Sequence, residues 1–109
     1  MSRAVRAIFA DACRRGELIY TVDAAGRPVW PPRDGLDWAR SEGTGTVYAT
    51  TTVRRGGEAP RDVSLVELDE GFRVMSRVEG VAPEDVAIGL RVRVGFVPGD
   101  DPVPVFRPA

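Results

Sequence analysis

A helix-period stripe at the N-terminus, five β segments beyond Gly43, and a short helical connection before the fourth of them predict a mainly β protein. The architecture they suit is a five-stranded OB-type barrel preceded by an N-terminal α-helix. A chain of 109 residues is long enough for one modest hydrophobic core and not for two.

The helix is predicted over Ala4 to Arg15, with Val5, Ile8, Phe9, Ala12 and Cys13 on one stripe. Arg14 and Arg15 sit in its last turn, where cations complement the helix dipole, and Gly16 is a natural stop. Glu17 to Val22 reads as a short strand and Asp23 to Gly26 as a turn. Arg27-Pro28-Val29-Trp30-Pro31-Pro32-Arg33 cannot be helical inside and should form a stiff, extended, partly exposed ridge. Asp34-Gly35 marks another turn, and Leu36 to Arg40 a short extended piece.

From Gly43 the composition turns to Val, Thr and Tyr. In Thr44 to Arg55, alternation puts Val47, Ala49, Thr51 and Val53 on one face and Thr46, Tyr48, Thr50 and Thr52 on the other. Val63 to Leu68, Phe72 to Val78, Leu90 to Val97 and Val103 to Phe106 supply the remaining strands. Asp69-Glu70-Gly71 reads as a hairpin turn with glycine where positive φ is needed. Pro83 to Val86 can form one helical turn with proline first.

The residue types present exclude several kinds of chemistry. The chain has 15 basic residues, all arginine, against 16 acidic ones, and no His, Lys, Asn or Gln. Arginine stays protonated, so the usual bases near neutral pH, His and Lys, are absent; the carboxylates Glu67, Asp69 and Glu70 could do acid–base work, but their turn setting suits a solvated role. With one cysteine and no histidine, a zinc site fails on ligand count. Near-zero net charge argues against non-specific affinity for nucleic acid or anionic membrane. No apolar run is long enough to span a bilayer, and Met1 to Arg15 lacks the pattern of a signal peptide. Cys13 alone cannot form an internal disulfide, which fits a reducing, cytoplasmic setting.

A set of strings in order along the chain carries a family resemblance. These are Ala12-Cys13-Arg14-Arg15-Gly16-Glu17-Leu18, then Gly26 followed by Trp30-Pro31-Pro32-Arg33, and Gly45-Thr46-Val47-Tyr48. Val66 to Gly71, Glu84 to Val92 and Val103 to Pro108 continue it. Nearly the whole chain thus resembles the zinc-ribbon/OB-fold family, a domain of unknown function that accompanies thiolase-like enzymes in acyl-CoA metabolism. The family usually carries two Cys-x-x-Cys pairs around the Pro-Pro-Arg element. Here the first pair would fall at Val22 and Ala25, and the second would follow Arg33, where the chain runs straight into Asp34-Gly35-Leu36. The resemblance therefore implies a helix at 1–16, a degenerate, metal-free, rubredoxin-like ribbon at 17–42, and an OB-fold barrel at 43–109. With no metal to organise the ribbon, packing of Trp30, Leu36 and Trp38, or a partner, must hold it.

The resemblance also implies a role: an accessory subunit, without catalytic residues, of a thiolase-superfamily enzyme or related aldolase in acyl-CoA metabolism, of steroids or fatty acids. A hetero-oligomer follows, with no tightly bound cofactor and acyl-CoA at a shared interface. Two surfaces are candidates for the partner. The stripe of Val5, Ile8, Phe9 and Ala12 either covers an open barrel end or docks on the partner. Trp30, Pro31, Pro32 and Arg33 form either a rigid connector or a contact ridge with Trp and Arg as anchors. Arg54, Arg55 and Arg61 around the first barrel loop are either solvated or a patch for coenzyme A phosphates. Cys13, with no imidazole to activate it, reads as a packed small hydrophobe. The rival reading is a nucleic-acid-binding OB module, which needs a basic groove and displayed aromatics. A self-associating structural protein is the third.

Overall fold

The computed structural model describes residues 1–109. Helix α1 spans Arg3–Arg14. Its N-terminus is capped by Ser2, whose hydroxyl accepts the Val5 N–H at 3.1 Å. At the other end Gly16 takes φ +78°, and the Glu17 and Gly16 amides donate to the Ala12 and Cys13 carbonyls at 2.9 and 3.0 Å. This Schellman closure is the stop that glycine at this position predicts.

Three short strands follow: β1, Ile19–Val22; β2, Pro28–Val29; β3, Asp37–Arg40. They form an antiparallel sheet in the order β2-β1-β3. The β1–β2 turn is built on Asp23. Its Oδ1 accepts the Ala25 and Arg27 amides, both at 2.9 Å, and the Asp23 N–H donates to the Arg27 carbonyl at 3.0 Å. Gly26, at φ +78°, closes the turn. The Thr21 hydroxyl, wholly buried, donates to the Val29 carbonyl at 2.8 Å and accepts from the Arg33 amide at 3.3 Å. Val22 and Ala25 offer no metal-ligating atom, and no group of three or more His, Cys, Asp or Glu gathers anywhere to hold a metal ion. The residues present do not fit a zinc site, and a carboxylate-centred turn occupies that corner.

The second sheet has five strands in the order β6-β5-β4-β7-β8. These are β4, Thr44–Val53; β5, Arg61–Leu68; β6, Arg73–Ser76; β7, Arg91–Val97; and β8, Val103–Pro108. All its strand pairs are antiparallel. Closure comes from the chain just after β6. Val78 bridges Phe106 in parallel, the Phe106 amide donates to the Arg77 carbonyl at 3.0 Å, and the Glu79 amide donates back to Phe106 at 2.7 Å. Joining the two edge strands in parallel gives the OB barrel, with a 3₁₀ turn at Pro83–Asp85 packed against β5. Gly45 is required where β4 crosses β5, because a Cβ there would run into the Glu67 carbonyl.

One predicted alternation is corrected. The β4–β5 register shifts between Val47 and Ala49, so Val47 opposes Val66, Ala49 opposes Leu65, and Tyr48 is left over as a bulge. The extra residue moves Ala49, Thr51 and Val53 off the Val47 face and turns Thr50 inward. A barrel strand must coil, and the bulge supplies the bend.

One hydrophobic cluster runs through all three segments. It takes Phe9, Ala12 and Cys13 from α1, Leu18, Ile19 and Tyr20 around β1, and Val47, Val66, Leu68, Phe72, Val74, Val92 and Phe106 from the barrel. Its seam is aromatic. Tyr20 stacks on Phe72 at 4.4 Å, Phe72 on Trp30 at 5.3 Å, and Phe9 meets Trp30 edge-on at 5.7 Å. Such pairs contribute about 0.5–1.5 kcal/mol each beyond the area they bury. Trp38 packs against the same cluster.

Candidate partner-docking surface

The surface around α1 is set by the contacts that hold the helix down. Beyond capping the helix, the Ser2 hydroxyl donates to Asp34 Oδ1 at 2.8 Å, tying the start of α1 to the turn after Pro-Pro-Arg. At its other end, Arg14 donates to the Asp100 carbonyl at 2.7 Å, which ties α1 to the β7–β8 loop. Open grooves flank the helix. One of about 400 Å³ is lined by Met1, Ser2, Pro31, Pro32, Arg33 and Asp34. Another, about 320 Å³, lies between Arg6, Phe9 and Ala10 of α1 and Asp101 to Pro104, and shares Met1 with the first.

The predicted contact residues separate. Val5, Phe9 and Ala12 are buried in the chain's own core, so this part of the stripe covers the barrel and ribbon. Ile8 is 45% exposed, and Met1 beside the grooves 55%. Pro31 and Arg33 are exposed, Pro32 is buried, and Trp30 is half-buried in the aromatic seam, joined to Pro31 by a cis peptide. Trp30 and Pro32 therefore pack inward as a connector, while Pro31 and Arg33 face outward. Arg33 makes no ion pair within the chain. Met1, Pro31 and Arg33 share the first groove, and Ile8 stands exposed on α1 outside both grooves.

Arg54 and Arg55 lie in the β4–β5 loop, and Arg61 opens β5 directly opposite Val53. All three are exposed, none has an ionic partner, and none lines a groove. They form no common site with α1 and the ridge. The Cys13 thiol is 3% exposed, and burial pushes its pKa up to about 11 despite the opposing pull of Arg14. It holds almost no thiolate at neutral pH. Of the aromatics that a strand of bases would need, Phe72 is buried and Trp30 is stacked, while Tyr48 stays exposed with the Arg73 guanidinium 3.6 Å over its ring.

Two carboxylates organise the molecule: Asp62, which carries no sequence expectation, and Glu70, whose turn setting suggests a merely solvated role. Asp62, 7% exposed, accepts hydrogen bonds from Thr50 Oγ1 at 2.8 Å, from Ser64 Oγ at 2.8 Å and from the Val78 amide at 2.8 Å. It pins the closing segment of the barrel. Glu70 accepts from the Ser41 hydroxyl at 2.6 Å and from the Glu42 amide at 2.8 Å, anchoring the connection between the two sheets. The inward phase of Ser64, Val66 and Leu68 could have placed Asp62 inside. No local signal marks Glu70.

Comparison with known proteins adds identity to this geometry. The model of the family described as the C-terminal OB-fold domain of ChsH2 matches residues 38–97. A probable enoyl-CoA hydratase alpha subunit of Thermomonospora curvata is 37% identical over 90 residues, covering 75% of this chain and 28% of that protein. The 3-oxo-4,17-pregnadiene-20-carboxyl-CoA hydratase alpha subunit of Mycobacterium tuberculosis is 32% identical over 74 residues, 63% of this chain and 24% of that one. A DUF35 domain-containing scaffold protein of Methanocaldococcus jannaschii is 26% identical over 89 residues, 77% of this chain and 63% of that one. The chain thus spans about a quarter of the length of the two hydratase subunits. Among solved structures, the Ltp2-ChsH2(DUF35) aldolase superposes with a TM-score of 0.83 at 28% identity, covering 99% of this chain and 96% of that one.

Proposed function

This chain belongs to the ChsH2-type OB-fold family, and from that premise we propose that it is a non-catalytic accessory subunit of a thiolase-superfamily enzyme or related aldolase. The observation that carries the proposal is the near end-to-end superposition on the DUF35 component of an aldolase assembly. A relative named as a scaffold supports it. So does a chain without imidazole or amine side chains, whose only thiol is buried and protonated.

Docking uses the exposed rim around α1: Met1, Ile8, Pro31 and Arg33, backed by the rigid Trp30 seam. An apolar spot beside an unpaired guanidinium suits a partner surface that offers an apolar pocket and a carboxylate. Acyl-CoA, of steroid or fatty-acid type, meets the complex at the shared interface. Phosphate contact through Arg54 and Arg55 requires the partner to reach the β4–β5 loop as well, since that loop lies apart from the α1 rim. A reducing, cytoplasmic setting belongs to the same reading. Within the chain itself, no helix is long and apolar enough to cross a membrane.

The test is co-expression with a thiolase-like or aldolase protein from the same genome. The two should co-purify, and Ile8→Glu with Arg33→Glu should weaken the complex at least tenfold, a loss of about 1.4 kcal/mol or more, without changing this chain's melting temperature. Failure to co-purify, together with unchanged partner activity, would refute the proposal.

A further inference from the structure

The outward face of the barrel sheet, away from α1, is apolar in its middle and charged at its ends. Ala49 and Thr51 of β4, Val63 and Leu65 of β5, and Met75 of β6 share it, because the register sets Ala49 beside Leu65, Thr51 beside Val63 and Met75 beside Leu65. These residues line a shallow depression of about 270 Å³, and Met75 is 74% exposed, the most open large apolar side chain of the molecule. The bulge at Tyr48 creates this face by turning Ala49 and Thr51 outward. A solvated sheet face normally alternates to polar residues, so this one asks for a cover.

The charge pattern identifies the cover. Read along β5, the outward positions run Arg61, Val63, Leu65, Glu67: cation, apolar, apolar, anion. That order is its own complement. A two-fold axis in the plane of the contact, crossing β5 at Ser64, lays a second copy face to face with its β5 antiparallel. Val63 then covers Leu65 of the other copy, Ala49 covers Thr51, and Arg61 meets Glu67 twice. Arg61 has no ionic partner within its own chain, and Glu67 uses only Oε1, which accepts from Arg73 Nε at 3.1 Å. One carboxylate oxygen therefore remains for the incoming guanidinium.

We propose that this face is a homodimer surface, in which two copies of the chain pair through β4, β5 and β6 with reciprocal Arg61–Glu67 contacts. It is separate from the α1 rim, so dimerisation and enzyme docking proceed independently. Two accessory subunits would then tether two enzyme subunits.

Sedimentation velocity on the full chain, up to about 500 µM, tests this, since a small interface gives micromolar to submillimolar association. The wild type should form a dimer that weakens with added salt. Arg61→Glu and Glu67→Arg should each be monomeric, shifting dissociation by at least tenfold, because each sets two like charges against each other. Mixing the two variants in equal amounts should restore a dimer, as should combining both changes in one chain. Met75→Asp should abolish association independently of the charges. A wild type monomeric at that concentration, or an Arg61→Glu chain that dimerises undiminished, overturns the proposal. So does Met75→Asp releasing the enzyme partner instead, which would assign the face to the heterologous interface.

Discussion

In the barrel, β4 pairs with β5 from Gly45 to Val53 and β7 pairs with β8 over six positions, whereas in the smaller sheet β2 offers β1 two residues and β3 offers four. The barrel is therefore ordered by its own ladder, closed at Val78–Phe106 and pinned inside by Asp62. The three-stranded sheet has too little ladder to stand alone. It is ordered by an Asp23-centred turn and by stacking on a barrel residue, Phe72. Packing across the aromatic seam is what ties this sheet to the barrel.

The largest expected effect tests that seam. Phe72→Ala should cost about 3–5 kcal/mol, as for a buried aromatic, because it unseats Tyr20 and Trp30 at once. Amide exchange should speed up first in β1, β2 and β3, while the β4–β5 ladder keeps its protection. Equal loss across both sheets would break the distinction between them.

Asp62→Ala is the corresponding test of the barrel. It strands the Val78 amide and the Ser64 and Thr50 hydroxyls, and should cost about 1–3 kcal/mol in urea denaturation. Exchange should accelerate at Val78 and Phe106, leaving the Asp23 turn untouched.

The smallest effect is a pH dependence with one contributor in each region. Asp69 is held down to about 2 by the bidentate Arg91 guanidinium, at 2.8 and 2.9 Å, and Asp23 is lowered by the amide and side chain of Arg27. Each folded-state value lies below the ordinary 3.8, so the unfolded chain binds the proton more readily. Their contribution is present above about pH 4 and is lost as acid carries the solution down through it, for Asp69 toward about 2. Urea midpoints between pH 5 and about 2 should fall less steeply in Asp69→Asn and in Asp23→Asn than in the wild type. An unchanged slope in Asp69→Asn would remove the Arg91 pair from the account.

Elements governed by local chemistry were legible. The Gly16 stop, the Asp34-Gly35 turn, the Gly71 hairpin at φ +101° and the proline-led turn at Pro83 stand where the residues place them. The faces of β4 were legible as far as Val47, where a bulge intervened. Tyr48 looks like any alternating strand residue, and only the partner strand decides that it is passed over. The packing of the N-terminal stripe was half legible. Helical period put Val5, Ile8, Phe9 and Ala12 together, but it cannot distinguish a helix buried on its own barrel from one awaiting a partner.

The sequence by itself determined the family, the order of elements and the poverty of catalytic groups, because these follow from residue identity and short-range periodicity. Tertiary structure decided the rest. It seated Trp30 between Phe9 and Phe72, left Ile8 outside, turned Ala49 and Thr51 outward, and drew the Val78 amide to Asp62. Each of those depends on contacts between residues far apart in the chain, and no local pattern encodes which distant group will arrive.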